Sequence, residues 1–193
     1  MLQSLYDPVL FSLKRKLAAL IKEFKNLIVL GPLICAIHHF EEHVVFSFIE
    51  WKLKYFQRSA ASMSTEAILS ILTSILVIFA LLHLVKNNRV RAHVILYILF
   101  STQVVNALFR IFFSLYYNDF SPGAVTGILL YLPANFYMVL AAFKENFLKS
   151  YSKYGLIAFL GTVTFVMFEI FGPIILRLGI IVSCMYFFGS TKD

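Results

Sequence analysis

The run from Cys35 to Trp51, CAIHHFEEHVVFSFIEW, places three histidines (His38, His39, His43) and two adjacent glutamates (Glu41, Glu42) inside an otherwise apolar segment. Imidazole and carboxylate are the groups that move protons near neutral pH and that ligate divalent transition metals. On a helix turning by about 100° per residue, Glu41 and Glu42 fall three and four residues after His38 and flank it on one face. His39 and His43 form a second pair four apart, expected to bond neighbouring helices or to lie toward the interface. Two adjacent carboxylates repel, and each ionised one at mid-membrane costs on the order of 2.5–3.5 kcal/mol. Protonating one of them, a buried cation or a bound metal would each offset that cost. The expected chemistry is therefore general acid/base work by His38, Glu41 and Glu42, with one glutamate ionised and one protonated, or coordination of a divalent metal ion by the same three residues. A polar knot that only fixes helix packing is the structural alternative.

The elements that hold these residues follow from composition. Of 193 residues 60% are apolar, 21 are Phe and only 14% are charged, which is too little polar surface for a water-soluble domain of this size. Several apolar runs reach the roughly 20 residues a helix needs to cross a bilayer, and the ten-residue alternation of a membrane β-barrel does not occur. The net charge of +7 comes from Lys and Arg beside the apolar runs rather than along one soluble face, so it signals topology and lipid headgroups, not nucleic acid. Cys35 and Cys184 have no metal spacing and read as buried thiols. No cleavable signal is expected at the N-terminus.

The predicted fold class is all-α, a polytopic bundle of about five transmembrane helices (26–193) preceded by an amphipathic interfacial helix (1–25). Asp7-Pro8 opens that first helix, with Leu10, Leu13, Leu17, Ile21 and Phe24 on one face and Lys14, Arg15, Lys16, Lys22 and Lys25 on the other. Spans are expected at about 26–49, 67–85, 92–117 and 124–143. Ser121 is expected to cap the fourth, with Pro122 at its first position. The region 155–188 reads as a fifth span broken at Gly172-Pro173, or as a fifth and a short sixth. Trp51, Lys52, Lys54 and Tyr55 are expected at an interface. Eleven Lys and Arg flank the spans on one side against four on the other, which predicts a cell-membrane protein with its N-terminus in the cytoplasm. In that orientation Glu41, Glu42, Arg110, Thr126 and Glu169 fall in the outer half of the bilayer, Asn106 lies close to the midplane beside His38, and Asn135 somewhat below it. They predict a cavity open to the outer leaflet. His83 and His93 fall at the inner surface and read as interfacial histidines.

The pattern His38-x-x-Glu41-Glu42, followed by Asn106 and by Phe120, Pro122, Gly123, Thr126 and Pro133, resembles the HXXEE family of bacterial membrane proteins over roughly residues 30–145. The departure from the family pattern is Arg110, where relatives often carry His. The resemblance implies a catalytic or metal site without naming a reaction.

The sequence thus predicts a membrane-embedded enzyme acting on a lipid or another apolar substrate. In that reading His38, Glu41, Glu42 and Arg110 are catalytic, and Asn106, Thr126 and Glu169 contact the substrate. Arg110 would neutralise a glutamate or hold an anionic headgroup. The expected partners are membrane lipids, with homo-oligomerisation left open, and the cofactor the residues point to is a divalent metal ion. A small proton-coupled transporter and an accessory subunit with a structural polar cluster are the alternatives.

Overall fold

The structure, a computed structural model, describes residues 23–56, 65–85 and 88–171, with Leu178, Ile181, Val182 and Met185 beyond them. Among these residues all regular structure is helical: α1 (Phe24–Val45), α2 (Phe48–Phe56), α3 (Thr65–Val85), α4 (Arg89–Tyr116), α5 (Ala124–Lys144) and α6 (Tyr151–Phe171). By length and composition α1, α4, α5 and α6 can each cross a membrane, and α3 contributes a shorter apolar stretch, Thr73–Val85. Among the described residues, four such helices and a shorter one stand where about five spans are expected. The amphipathic stretch before residue 23, Cys184 and the Gly172-Pro173 break lie outside the described residues.

Local chemistry explains the boundaries. Pro32 has no N–H to give the carbonyl of Ile28, and α1 turns there, with Gly31 N–H bonding Ile28 O at 3.1 Å instead. The same helix stops at Phe46, whose backbone is extended, four residues short of the expected 49. Asn88 caps α4 by accepting the Val90 N–H at 2.8 Å. Pro133 sits inside α5 just after a π-helical turn at Gly127–Tyr131, where Leu132 N–H reaches Gly127 O. A proline ring clashes with the carbonyl four residues back, and a wider turn relieves that clash. Further π turns occur at Glu41–Val45 in α1 and Phe100–Val104 in α4.

The central element is α4. Its first half, Ala92 through Leu99, is buried on every side, as an all-round apolar helix requires. Against it pack α3, α5 and α6. At Gly161 of α6 the approach is so close that an added Cβ would lie 3.0 Å from Phe100 and 3.2 Å from the Ser101 nitrogen. Outward-facing Phe40, Leu129 and Phe159 are more than half exposed, a surface suited to lipid.

The lower end of the bundle is closed by aromatic packing. Phe24 is fully buried, donates its N–H to Glu145 at 2.5 Å and packs edge-on against His83 and at a tilt against Phe147, so the packed bundle begins two residues before the expected 26. This corrects the interfacial reading of His83 and His93, which are 1% and 5% exposed. His93 Nε2 lies 2.8 Å from the Phe147 carbonyl oxygen, because the 145–148 connection folds back over both imidazoles.

Candidate functional site

The expected site residues converge where α1, α4 and α5 meet. His38 is completely buried. Its Nδ1 lies 2.7 Å from Thr126 Oγ1, and its Nε2 lies 3.0 Å from Glu42 Oε1 and 3.2 Å from the side-chain amide of Asn106. With its proton on Nε2, His38 would face Glu42 and accept the Thr126 hydroxyl at Nδ1; with its proton on Nδ1, Nε2 accepts from the Asn106 amide and Thr126 donates to the Gly123 carbonyl oxygen at 3.4 Å. A hydroxyl and a carboxylate thus lie within 3.0 Å of the two nitrogens of one imidazole. The same three groups, with the two ring nitrogens in exchanged roles, form the hydrolytic triads. Tyr131 covers the imidazole, its ring 4.3 Å away and 1% exposed.

Each glutamate meets positive potential from a different source. Glu42 Oε1 pairs with Arg110 Nη2 at 2.5 Å, both side chains being 5% exposed or less. The guanidinium carbon of Arg110 lies 3.3 Å from the centre of the Phe48 ring, close enough for strong cation–π attraction. Arg110 Nε and Nη1 are buried without a hydrogen-bond partner among the described residues. Among the described residues no cation pairs with Glu41. Its carboxylate accepts the backbone N–H groups of Gly123 (3.1 Å), Val125 (3.3 Å) and Thr126 (2.8 Å) at the start of α5. Helix N-termini present unpaired N–H donors and the positive end of the helix dipole, so Glu41 acts as a cap supplied by another helix.

That cap corrects the expectation for Ser121 and Pro122. The helix begins at Ala124, its N-cap is Gly123 at φ +88°, and Ser121 contributes only its carbonyl, to the Ala124 N–H. Glycine is required twice over at this position. L side chains rarely adopt that φ, and a Cβ there would lie 2.6 Å from both Glu42 Oε1 and His38 Cε1.

Glu169 bonds Lys52 at 2.6 Å, tying α2 to α6, and lies close enough to Arg110 to interact with it electrostatically. Asn135 belongs to a separate buried layer, donating at 2.9 Å to both Gln103 Oε1 and the Tyr131 carbonyl, while Gln103 donates to Gly31 O at 2.9 Å. Trp51 is buried within the protein, and Lys54 pairs with Asp119 at 2.8 Å.

Tyr131, Gln103 and the capping role of Gly123 were not anticipated. The signal for Tyr131 and Gln103 was available, since a hydroxyl or amide within an apolar span needs an internal partner. His39 and His43, expected to bond neighbouring helices or to lie toward the interface, instead group with Glu42. The spelling His39-x-x-Glu42-His43, two imidazoles four apart with a carboxylate beside the second, was also visible in the sequence. These three side chains form a group whose donor atoms all lie within 4.8 Å of one another.

Fold and site together define a multi-pass helical membrane protein, by helix length and composition, with a buried His–Glu–Arg cluster. The family model described as a protein of unknown function with HXXEE motif matches residues 29–138, more than half of the chain. The chain belongs to the HXXEE family. No curated protein and no solved structure matches it.

Proposed function

We propose that this protein is a membrane-embedded enzyme that acts on a lipid or another apolar substrate, through proton transfer along Thr126, His38 and Glu42. The observation that carries the reading is the fully buried His38 imidazole held between a hydroxyl at 2.7 Å and a carboxylate at 3.0 Å. In this reading His38 is the general base that takes the Thr126 hydroxyl proton, or that of a substrate hydroxyl in its place. Glu42 orients the imidazole and offsets the charge it gains, as the third member of a nucleophile–base–orienter chain does. Arg110 holds Glu42 through Nη2 and offers Nε and Nη1 to a polar oxygen of the substrate. Glu41 positions the start of α5, and with it Thr126. If the N-terminus is cytoplasmic, as the Lys and Arg count predicts, the cluster lies in the outer half of the bilayer, within reach of lipids.

The test compares the lipids of cells lacking the gene with cells restored by wild type, His38→Gln or Thr126→Val. The expected result is a lipid that accumulates without the protein, clears with wild type and persists with either variant. Clearance by both variants would overturn the reading. An unchanged lipid profile with proton-coupled uptake in liposomes would replace it with a carrier.

A further inference from the structure

We infer that His39, Glu42 and His43 form a binding site for a divalent transition-metal ion of the zinc class, on the opposite oxygen of Glu42 from the His38 chain. Glu42 Oε1 faces His38 and Arg110, whereas Oε2 faces His39 Nδ1. That separation is 3.6 Å, too long for a hydrogen bond. Two ligands each about 2.1 Å from a tetrahedral ion stand about 3.4 Å apart, so the pair has the spacing of neighbours on one metal. His39 Nδ1 is buried with no hydrogen-bond partner among the described residues, which a coordinated ion would remedy.

The helix itself is shaped for this. The π turn at Glu41–Val45 is wider than an α turn, which brings residues four apart closer into line, and the His39 and His43 rings lie 5.9 Å apart. Two imidazoles and one carboxylate are the ligand set of open, catalytic zinc sites and suit transition ions rather than Mg²⁺ or Ca²⁺. The second nitrogen of His39 also has a partner: Nε2 lies 3.5 Å from Cys35 Sγ, which in turn lies 3.6 Å from Thr73 Oγ1. Ligand histidines are oriented in this way, by a bond from the ring nitrogen that does not touch the metal. Cys35 is thus a positioning residue, pointing at the wrong nitrogen to be a ligand itself.

The site shares Glu42 with the proposed acid/base chain but none of its other members, so metal binding and proton transfer can fail separately. The experiment uses the full-length protein in detergent micelles, stripped with a chelator, dialysed against Zn²⁺ and analysed for metal per chain. One zinc per chain is expected in wild type and in His38→Gln, even where the latter has lost activity. His39→Gln and His43→Gln should each weaken zinc binding by more than about 100-fold, beyond the 10- to 100-fold an outer partner supplies. Cys35→Ser should fall within that smaller range. Wild type that binds no stoichiometric zinc, or variants at 39 and 43 that both keep it, would overturn the assignment. If either variant fails to fold, Co²⁺ added to wild type decides: intense tetrahedral ligand-field bands support the site, and a pale six-coordinate spectrum overturns it.

Discussion

At the scale of single residues, the chain places two adjacent carboxylates in an apolar bundle by giving each its own partner. Arg110 and Glu42 form a buried ion pair, and breaking such a pair on one side leaves a lone charge at a cost of about 3–5 kcal/mol. Arg110→Leu should therefore lower thermal stability sharply, and adding Glu42→Gln to the same chain should recover most of the loss without restoring function. Stability of all four members of the cycle measures the coupling, and a coupling near zero would show that the pair does not hold the site. Gly123→Ala should be worse than a surface change of the same size. It forces a side chain into a left-handed backbone, worth about 1–3 kcal/mol, and drives Cβ into both His38 and Glu42. A lowered melting temperature together with lost complementation is the expected outcome, and wild-type behaviour in both would show that the turn can relax.

At the scale of elements, irregular turns and a short strap do the positioning. The π turn before Pro133 sets the rotation of Thr126 and Tyr131 relative to the rest of α5. Pro133→Ala returns a backbone donor, so the helix should melt no lower than wild type while complementation falls, because both site residues move with the register. A lower melting point would instead assign Pro133 a packing role. The strap α2 is tied to the α4–α5 connection by Asp119, which accepts from Lys54 at 2.8 Å and from the Tyr55 hydroxyl at 2.5 Å. The hydrogen bond from Lys54, then that from Tyr55, holds the Asp119 carboxyl below its usual range. The bond to Asp119 raises the Lys54 ammonium above its own. Asp119's contribution is complete above its unfolded value of about 3.9 and is lost as pH falls through the lower folded value. That of Lys54 is complete below about 10.4 and is lost as pH rises through the higher one. Trp51 emission should therefore stay constant from about pH 4 to pH 10 and change outside that window, and in Asp119→Asn the acid-side change should vanish.

At the scale of the whole molecule, orientation is the open quantity that matters most. A reporter fused after Arg89 should be cytoplasmic and one inserted at Asn118 external, as the asymmetry of Lys and Arg predicts. The opposite pair would place the cluster in the inner half of the bilayer and redirect the search for substrate to that leaflet.

The sequence by itself determined the class of the molecule and the cast of the site. Apolar length and low charge dictate helices that satisfy their own backbone in lipid, and these are local properties of a dozen or two consecutive residues. His38, Glu41, Glu42 and Arg110 were legible for a related reason: ionisable groups are expensive in an apolar span, so each one stands out in the sequence. Pairing could not be read in the same way. Glu41 finds its partners 82 to 85 residues away, in backbone N–H groups that no side-chain pattern announces, and they exist only because Gly123 starts α5 at that point. Glu42 was one carboxylate in a row of two, and only the packing of α4 against α1 decided that one of its oxygens meets Arg110 and the other His39. The burial of His83 and His93, and the pairing of Glu169 with Lys52, were likewise decided by how helices cross. Crossing depends on side-chain shape along whole interfaces rather than on the identity of any one residue.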